Sequence, residues 1–341
     1  MLGSMIDCHA HAFPTVAELS SHLPATAQAF LTSSTGQTLK DVGKNVLSQL
    51  PKSSRFGKIA RGISSVIPAA LPKDSSQLAQ LRDKLPGNVH KSLEFFLSAG
   101  TGPKLLLDGT VSKLLASMDR NGIKKTVLIG APPLADAPWI LKTSLEHPGR
   151  FIPVLNVPPI AAESGEKAWR AAYEELADLG ARGFKIHPNM DPYHHHHLAY
   201  QAMFEVAQER GLFIILHTGC FTVPGYKSLK PSEPEDFSHL FTAYPDVKIC
   251  LAHMNRDHPE RAWDMMKRHE QLYTDTSWQP SANITRALHE VGSDRILLGS
   301  DWPLLNDDLQ TNAIREMRIA TSDHVFEKLT EDNAKVFLSE P

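Results

Sequence analysis

The sequence has few of the features that mark secreted, membrane or nucleic-acid-binding proteins. Its 341 residues include three cysteines, Cys8, Cys220 and Cys250, which form no plausible disulfide framework, so we expect a reducing compartment such as the cytoplasm. No apolar run approaches the roughly 20 residues of a membrane span. The N-terminus lacks the basic region and long apolar core of a secretory signal. The net charge of −3 does not indicate the strongly basic surface that is typical of nucleic-acid-binding proteins.

Short apolar runs alternate with segments of helical composition along most of the chain. Such runs are typical of parallel strands buried on both faces, and the alternation predicts βαβ units. The predicted strands are residues 6–11, 126–129, 151–155, 183–187, 212–217, 247–253, 272–276 and 295–301. The predicted helices are residues 166–179, 198–210, 259–269, 282–291 and 308–319. Eight strand–helix units predict an α/β fold, the (β/α)8 TIM barrel, with a doubly wound sheet as the alternative.

The segment from residue 14 to about residue 103 interrupts this pattern because it has no clear strand. We predict a helical insertion, or lid, after strand 1 within a single barrel domain of residues 1–341. Between Lys40 and Lys113 there are 12 Lys/Arg and 5 Asp/Glu, a net charge of +7, which leaves −10 for the rest of the chain. A solvated helical surface explains this charge. So does a basic lid that faces an anionic substrate or the acidic part of a neighbouring subunit in a homodimer.

Residues able to bind a metal or move a proton stand where predicted strands end. They are His9 and His11 on strand 1, His217 on strand 5, His253 on strand 6 and Asp301 on strand 8. In a barrel all these strand ends face the same mouth. A single histidine at a strand end is more often a hydrogen-bonded structural residue. Five such groups in register around one barrel favour a metal site.

The motifs at these strand ends are similar to those of the amidohydrolase superfamily. In chain order they are Asp-Cys-His-Ala-His, Gly-Phe-Lys-Ile-His-Pro, Leu-His-Thr-Gly, Leu-Ala-His and Gly-Ser-Asp-Trp-Pro. The set most resembles the amidohydrolase-related branch (amidohydrolase 2) that includes aminocarboxymuconate-semialdehyde decarboxylase. The resemblance covers strand 1 and the residues from about 115 to the end, and it implies a metal-dependent TIM-barrel enzyme with a small-molecule substrate.

This resemblance implies that His9, His11, His217 and Asp301 bind one divalent metal ion. Three imidazoles and a carboxylate suit Zn²⁺ with a water in an open position, and Mn²⁺, Fe²⁺ or Co²⁺ are the alternatives. Asp301 and His253 are then the expected catalytic residues. Asp301 would take a proton from the attacking water, while His253 would polarise the attacked carbonyl.

Further positions near the predicted mouth are candidate substrate contacts. They are Lys185, His187, Tyr226, Arg256 and Trp302. In binuclear members of the superfamily a carbamylated lysine on strand 4 bridges two metals, a role open to Lys185, although its Lys-x-His-Pro context resembles the mononuclear branch. His187 is nearly as well explained as a packing residue before Pro188. The run His194–His197 follows strand 4, where we predict an exposed loop or helix start rather than a single-ion site.

The resemblance leaves several reactions open. We expect a hydrolase in which a metal-activated water attacks the carbonyl carbon of a small lactone, amide or ester, neutral or anionic. The alternative is a non-oxidative decarboxylase of an aromatic or unsaturated carboxylic acid, although those enzymes more often have Pro-Trp where this chain has Thr218-Gly219. They also more often have a Gly-rich run where this chain has Met254-Asn255. A metal-dependent nuclease and a non-catalytic binding barrel are the remaining alternatives.

Overall fold

The structure is a computed structural model that describes residues 5–15, 18, 109–132, 135–188, 191, 193–219, 232–303 and 308–340. The chain divides into two units, of which the first consists of Met1–Pro14, Asp108–Phe221 and Lys227–Pro341. The second consists of Thr15–Leu107 and Thr222–Tyr226. The insertion predicted at residues 14–103, apart from residues 14, 15 and 18, and the predicted substrate contact Tyr226 therefore lie outside the described residues.

Eight parallel strands pair in chain order, as the sequence predicts. They are β1 (Met5–Ala10), β2 (Ile123–Ile129), β3 (Phe151–Asn156), β4 (Gly183–Ile186), β5 (Phe213–His217), β6 (Ile249–Ala252), β7 (Leu272–Asp275) and β8 (Ile296–Leu297). Main-chain hydrogen bonds join the last strand to the first. The Cys8 N–H donates to the Leu298 carbonyl at 2.7 Å, and the Asp301 N–H donates to the His9 carbonyl at 2.7 Å. The (β/α)8 barrel is confirmed, and the doubly wound alternative is wrong because the strand order never reverses.

Helices connect consecutive strands. In the described part of the chain they are α1 (Val111–Asn121), α2 (Ala137–Glu146), α3 (Glu166–Asp178), α4 (Leu198–Arg210), α5 (Ser238–Ala243), α6 (Pro259–Arg268), α7 (Ser281–Val291), α8 (Leu309–Ala320), α9 (Asp323–Glu327) and α10 (Asn333–Leu338). The five predicted helices are confirmed to within one residue at each end. None of these described helices is long and apolar enough to cross a membrane.

Helix α4 has the predicted bounds because both of its ends are specified locally. The His197 ring accepts a hydrogen bond from the Ala199 N–H at 3.1 Å and so caps the first turn. At the other end Gly211 has φ 64° and ψ 33°, a left-handed conformation that glycine adopts at little cost. The helix that begins where the histidine run ends therefore confirms the predicted helix start.

The apolar strands are buried on both faces, which explains their composition. Alternate residues from seven strands, among them Val127 and Ile215, form one cluster inside the barrel. Helix α10 covers this cluster, since the Phe337 ring lies 4.8 Å from the Phe213 ring. The inward residue of β4 is Lys185 instead. Apolar packing thus fills the barrel interior, and polar side chains occupy the carboxyl ends of the strands.

Candidate metal centre

The five strand-end groups predicted from the sequence lie together at the carboxyl ends of their strands. The exposed fraction of each residue is between 1% and 8%. Asp301 Oδ1 lies 3.3 Å from His11 Nε2 and 3.5 Å from His9 Nε2, and His253 Nε2 lies 3.2 Å from His217 Nδ1. The ring centroids of His9 and His253 are 4.7 Å apart, so the two groups form a single cluster.

A change of register near the end of β1 accompanies the entry of His9 into this cluster. The pairing of β1 with β2 shifts between Asp7 and Ala10, where the Asp7 carboxylate accepts from the His9 N–H at 3.1 Å. Asp7 also accepts from the Ser300 hydroxyl at 2.6 Å and from Gln310 Nε2 at 2.9 Å. Burial raises the pKa of Asp7 to about 6 in spite of these hydrogen bonds. Asp7 therefore ties β1 to the loop after β8 and to α8.

Hydrogen bonds assign the proton on each histidine of β1. His9 Nδ1 lies 2.9 Å from Asp275 Oδ2, and His11 Nδ1 lies 3.0 Å from the Ile129 carbonyl oxygen. Carboxylate and carbonyl oxygens only accept, so both Nδ1 atoms donate and both Nε2 atoms keep a lone pair. These lone pairs lie near Asp301 Oδ1, which has no hydrogen-bond partner in the part of the chain that the structure describes. Buried electron-pair donors at such distances repel one another unless a cation lies among them.

A hydrogen-bond chain assigns the protons of the other two histidines. The Ser277 hydroxyl donates to Asp275 Oδ1, so its oxygen accepts from His253 Nδ1 at 2.6 Å. His253 Nε2 then keeps a lone pair, which accepts from His217 Nδ1 at 3.2 Å. Within the described residues His217 Nε2 is left buried with no hydrogen-bond partner. The series of hydrogen bonds that starts at Asp275 therefore leaves an unshared lone pair on His217 Nε2.

This donor set fits a divalent metal ion. His9, His253 and Asp301 each offer one atom within 4.8 Å of the atoms offered by the other two. Proximity alone would therefore make His253 a metal ligand together with His9 and Asp301. The hydrogen bonds instead leave the unshared lone pair, which a ligand needs, on His217 Nε2. We give the hydrogen bonds more weight because a ligand nitrogen needs a lone pair that no proton shares. Imidazole nitrogens combined with a carboxylate oxygen suit several divalent first-row metals.

The protonation states of these groups are those that metal ligands require. Burial alone would raise the pKa of Asp301, but the neighbouring His9 and the Trp278 indole N–H, which donates to Oδ2 at 2.5 Å, hold it well below its ordinary value. Burial lowers the pKa values of His217 and His253 well below the ordinary value. At neutral pH the Asp301 carboxylate is therefore ionised and the imidazoles of His217 and His253 are neutral.

Strand β4 and the residue that follows it direct one amine and one ring toward the cluster. Lys185 Nζ is buried and has no hydrogen-bond partner in the described residues, and burial lowers the pKa of Lys185 to about 8. The His187 ring stacks on the His217 ring with centroids 4.0 Å apart. Burial lowers the pKa of His187 to about 3. The two predicted substrate contacts thus supply an amine without a partner and a neutral flat ring.

The loop after β6 positions Arg256 through an unusual backbone. The residues His253–Arg256 have φ values of 63°, 46°, 57° and 49°, a region that costs free energy for residues with a Cβ. Thr218 holds this turn, since its hydroxyl accepts from the Asn255 N–H at 3.0 Å. The guanidinium carbon of Arg256 lies 5.2 Å from the centre of the Trp278 ring. Arg256 is thus held beside the ring whose N–H binds the candidate metal ligand.

The last predicted contact, Trp302, is fully buried. Its carbonyl accepts from the His11 N–H at 2.6 Å, so its backbone helps to hold the end of β1. A role of the Trp302 ring in binding substrate stays a prediction.

Three residues of the site were missed from the sequence, and all three come at or just after the end of β7. Asp275 and Ser277 orient the histidines, and Trp278 donates to Asp301. The position of Asp275 at a strand end was a usable signal, because the other site residues share it. Nothing in the sequence indicated Ser277 or Trp278.

A parallel (β/α)8 barrel with imidazoles and a carboxylate buried at its mouth defines a class of metal-dependent barrel proteins. This chain belongs to the amidohydrolase family, whose family model (Amidohydro_2) matches residues 6–339. The resemblance predicted from the strand-end motifs is confirmed. The family and the decarboxylases among its relatives indicate an enzyme.

Three relatives illustrate the similarity. Gamma-resorcylate decarboxylase of Polaromonas sp. is 29% identical over 107 residues, which span 25% of this chain and 33% of that protein. The crystal structure of a dihydroxybenzoic acid decarboxylase from Polaromonas sp., with bound manganese and the inhibitor 2-nitroresorcinol, has a TM-score of 0.55 at 19% identity and covers 78% of this chain and 94% of that chain. The third relative is the 5-carboxyvanillate decarboxylase of Novosphingobium aromaticivorans, in complex with manganese and 4-hydroxy-3-methoxy-5-nitrobenzoic acid. Its structure has a TM-score of 0.55 at 16% identity, and the match covers 98% of this chain and 96% of that chain. The two structures share the fold of this chain.

Proposed function

We propose that this chain is a metal-dependent, non-oxidative decarboxylase of a small aromatic or unsaturated carboxylic acid. The observation that carries the proposal is the buried Lys185 amine, which has no hydrogen-bond partner among the described residues. A buried cation without a partner calls for an anionic group of the substrate, and a carboxylate is the group that a decarboxylase removes. The three decarboxylases described above support this reaction.

We propose that His9, His11, His217 and Asp301 hold a single divalent ion. The support is that, among the described residues, each imidazole has a free Nε2 lone pair and Asp301 Oδ1 has no hydrogen-bond partner. The imidazole-rich donor set favours Zn²⁺, and the manganese in two related structures supports Mn²⁺ equally. The chemistry that such an ion supplies is polarisation of a substrate oxygen.

The residues around the ion have separate tasks in this reaction. Lys185 and Arg256 bind and orient the carboxylate, because both are cations held at the mouth of the barrel. His187 offers a flat neutral ring on which an aromatic substrate stacks. Decarboxylation replaces the carbon–carboxylate bond by a carbon–hydrogen bond, so one proton must reach the carbon that loses CO₂. Asp301 is ionised, so we propose that its carboxylate takes this proton from water and passes it to the carbon. We assign to His253 the positioning of His217, whose Nδ1 donates to His253 Nε2 at 3.2 Å.

Hydrolysis of a lactone, amide or ester is the second candidate, and the description of the family as amidohydrolases supports it. One of the two sequence features that favoured it, Thr218-Gly219, has a packing explanation. A Cβ on Gly219 would lie 3.0 Å from Arg256 Cβ and from the Asn255 backbone, and Thr218 holds the same turn. The Thr-Gly pair therefore lets two loops approach closely, which weakens its value as a sign of hydrolysis.

A carbon-labelled substrate separates the two reactions. The metal-free protein is loaded with Mn²⁺ or Zn²⁺ and incubated with 2,6-dihydroxybenzoate or 5-carboxyvanillate that carries ¹³C in the carboxyl group. Release of ¹³CO₂ that depends on the metal supports the proposal. Metal-dependent opening of lactones or amides without CO₂ from any carboxylate identifies a hydrolase instead. Turnover that is unchanged after removal of the metal contradicts both candidates.

We also propose a cellular compartment, a domain organisation and an oligomeric state for this enzyme. Cys8 and Cys250 are buried free thiols, which supports a reducing compartment such as the cytoplasm. The single barrel domain with residues 14–103 inserted after β1 stays a proposal. So does a homodimer in which basic and acidic regions of two subunits face each other. The net charge of +7 between Lys40 and Lys113 supports attraction of an anionic substrate to the barrel.

A further inference from the structure

Four imidazoles form a second cluster, which takes no part in the site described above. His194, His195 and His196 lie on the loop before α4, and His239 lies on α5. The ring centroids of His196 and His239 are 4.2 Å apart, and those of His195 and His196 are 4.4 Å apart. His195 and His239 are separated by 6.1 Å. His196 is therefore the centre of a group that includes a histidine more than forty residues further along the chain.

The fourth histidine of the run has a different role. The His197 ring caps α4 through the Ala199 N–H, and its Nε2 lies 3.0 Å from the Ala162 carbonyl. Both of its nitrogens are therefore used in the fold. The side chains of His195 and His196 make no such hydrogen bonds within the described residues, and the His239 ring has one hydrogen bond there, with the backbone of Asp236. The cluster thus contains imidazole nitrogens that the fold itself does not use.

We propose that His195, His196 and His239 bind one divalent transition-metal ion at a second site, separate from the catalytic centre. Neutral imidazole is a preferred ligand of zinc, nickel and copper. Two nitrogens bound to one zinc ion lie at most about 4 Å apart, a separation that adjacent rings reach by small rotations. Ligands from two consecutive βα units would also join the loop after β4 to α5.

This site is assembled by the ion rather than preformed. In the described residues the donor atoms of His9, His253 and Asp301 already lie within 4.8 Å of one another, and the three histidines of the second cluster do not meet that condition. Their rings are exposed or half-buried, so they are free to rotate into staggered positions that share one ion. Ordering these side chains costs entropy. The second site therefore binds zinc more weakly than the catalytic centre.

Zinc titration of the full-length protein tests this proposal. Protein purified without a histidine tag and stripped of metal is titrated with ZnCl₂ by calorimetry, and we expect two classes of site. The double variant His196→Asn/His239→Asn keeps the tight class and loses at least about ten-fold in affinity at the weak class. Asp301→Asn has the reverse effect. His289→Asn, which changes an exposed histidine of α7, leaves both classes unchanged.

A second readout keeps the result independent of catalysis. A second equivalent of Co²⁺ added to the wild type produces visible absorption from imidazole coordination, and the double variant lacks it. Circular dichroism verifies that both variants are folded. A single class of zinc site in the wild type would overturn the proposal. A weak class that persists in the folded double variant would do the same. Neither result depends on which reaction the catalytic centre performs.

Discussion

His9 Nδ1 donates to Asp275 Oδ2 at 2.9 Å, and this pair links the first and seventh strands across the mouth of the barrel. Asp275 fixes the tautomer of His9 and so leaves the Nε2 lone pair for a metal ion. Burial would raise the pKa of Asp275, but His9 and the hydrogen bonds from Ser277 outweigh it and hold the pKa below its ordinary value. Asp275 is therefore an ionised positioning residue. It holds His9 directly, and it also begins the series of hydrogen bonds that reaches His217.

Asp275→Asn should weaken metal binding about 10- to 100-fold. The neutral amide no longer requires a proton on His9 Nδ1, so the competing tautomer protonates Nε2 and blocks the ligand. Competition with a chromophoric chelator measures the affinity. Asp178→Asn on α3 is the matched control, because the Asp178 side chain is 63% exposed and pairs with Arg210 on α4 rather than with a histidine of the site. Equal metal affinity in the wild type and Asp275→Asn would refute the role assigned to Asp275.

Asp301→Asn should abolish turnover and lower the metal content. The variant loses the charged oxygen that lies 3.3 Å from His11 Nε2 and 3.5 Å from His9 Nε2, and it loses the group assigned to proton delivery. Elemental analysis and product assays measure the two effects. Asp323→Asn is the control, since the Asp323 side chain is 96% exposed and its removal should leave both values unchanged. Full metal content with full activity in Asp301→Asn would rule out the proposed centre.

Lys185→Met should stabilise the metal-free protein at pH 7 while it reduces activity. Burial lowers the pKa of Lys185 from 10.5 to about 8, so the unfolded chain binds this proton more tightly than the native state does. The wild type therefore gains stability as the pH rises from about 8 to about 10.5, by about 3 kcal/mol in total. Urea unfolding at pH 7 and at pH 10 should show this gain in the wild type only. A variant that is no more stable than the wild type at pH 7 would contradict the buried charge.

Trp278→Phe should move the acidic limb of the pH–activity profile to higher pH. The indole N–H donates to Asp301 Oδ2 at 2.5 Å and is one cause of the lowered pKa of Asp301. Without this donor the pKa of Asp301 rises, so the ionised form is lost at a higher pH as the solution is acidified. Profiles of kcat/KM against pH measure the shift. Trp139→Phe on α2 is the control and should keep the wild-type profile. An unchanged acidic limb in Trp278→Phe would show that this hydrogen bond does not tune Asp301.

The architecture was predictable because buried parallel strands have a distinctive composition. The predicted and observed β5 differ by one residue, and α4 has the predicted bounds. Strand β8 was predicted over residues 295–301, but only Ile296–Leu297 are strand. Its later residues turn instead to contact β1, where the Asp301 N–H donates to the His9 carbonyl. Helices α1 and α2 were not predicted. Helix α1 has a buried stripe that includes Leu114 and Met118, a periodicity that could have revealed it.

The candidate site was predictable in its residue types and only partly in its arrangement. Strand-end positions identified His9, His11, His217, His253 and Asp301, and the structure brings all five together. The same reasoning did not identify Ser277 and Trp278, because each acts through a hydrogen bond to a residue on a different strand. It also treated His194–His197 as one run, whereas the fold uses His197 as a cap.

The residue pattern was enough to predict the number and order of the strands and the chemical types at their ends, since burial on both faces and local capping depend on residues close in the chain. Which nitrogen of each imidazole carries a proton depends instead on tertiary contacts. Those protons are assigned by contacts such as that of His9 with Asp275, which are 266 residues apart. The meeting of His196 with His239 was decided in the same way, because side chains on separate βα units become neighbours only when the barrel packs those units side by side.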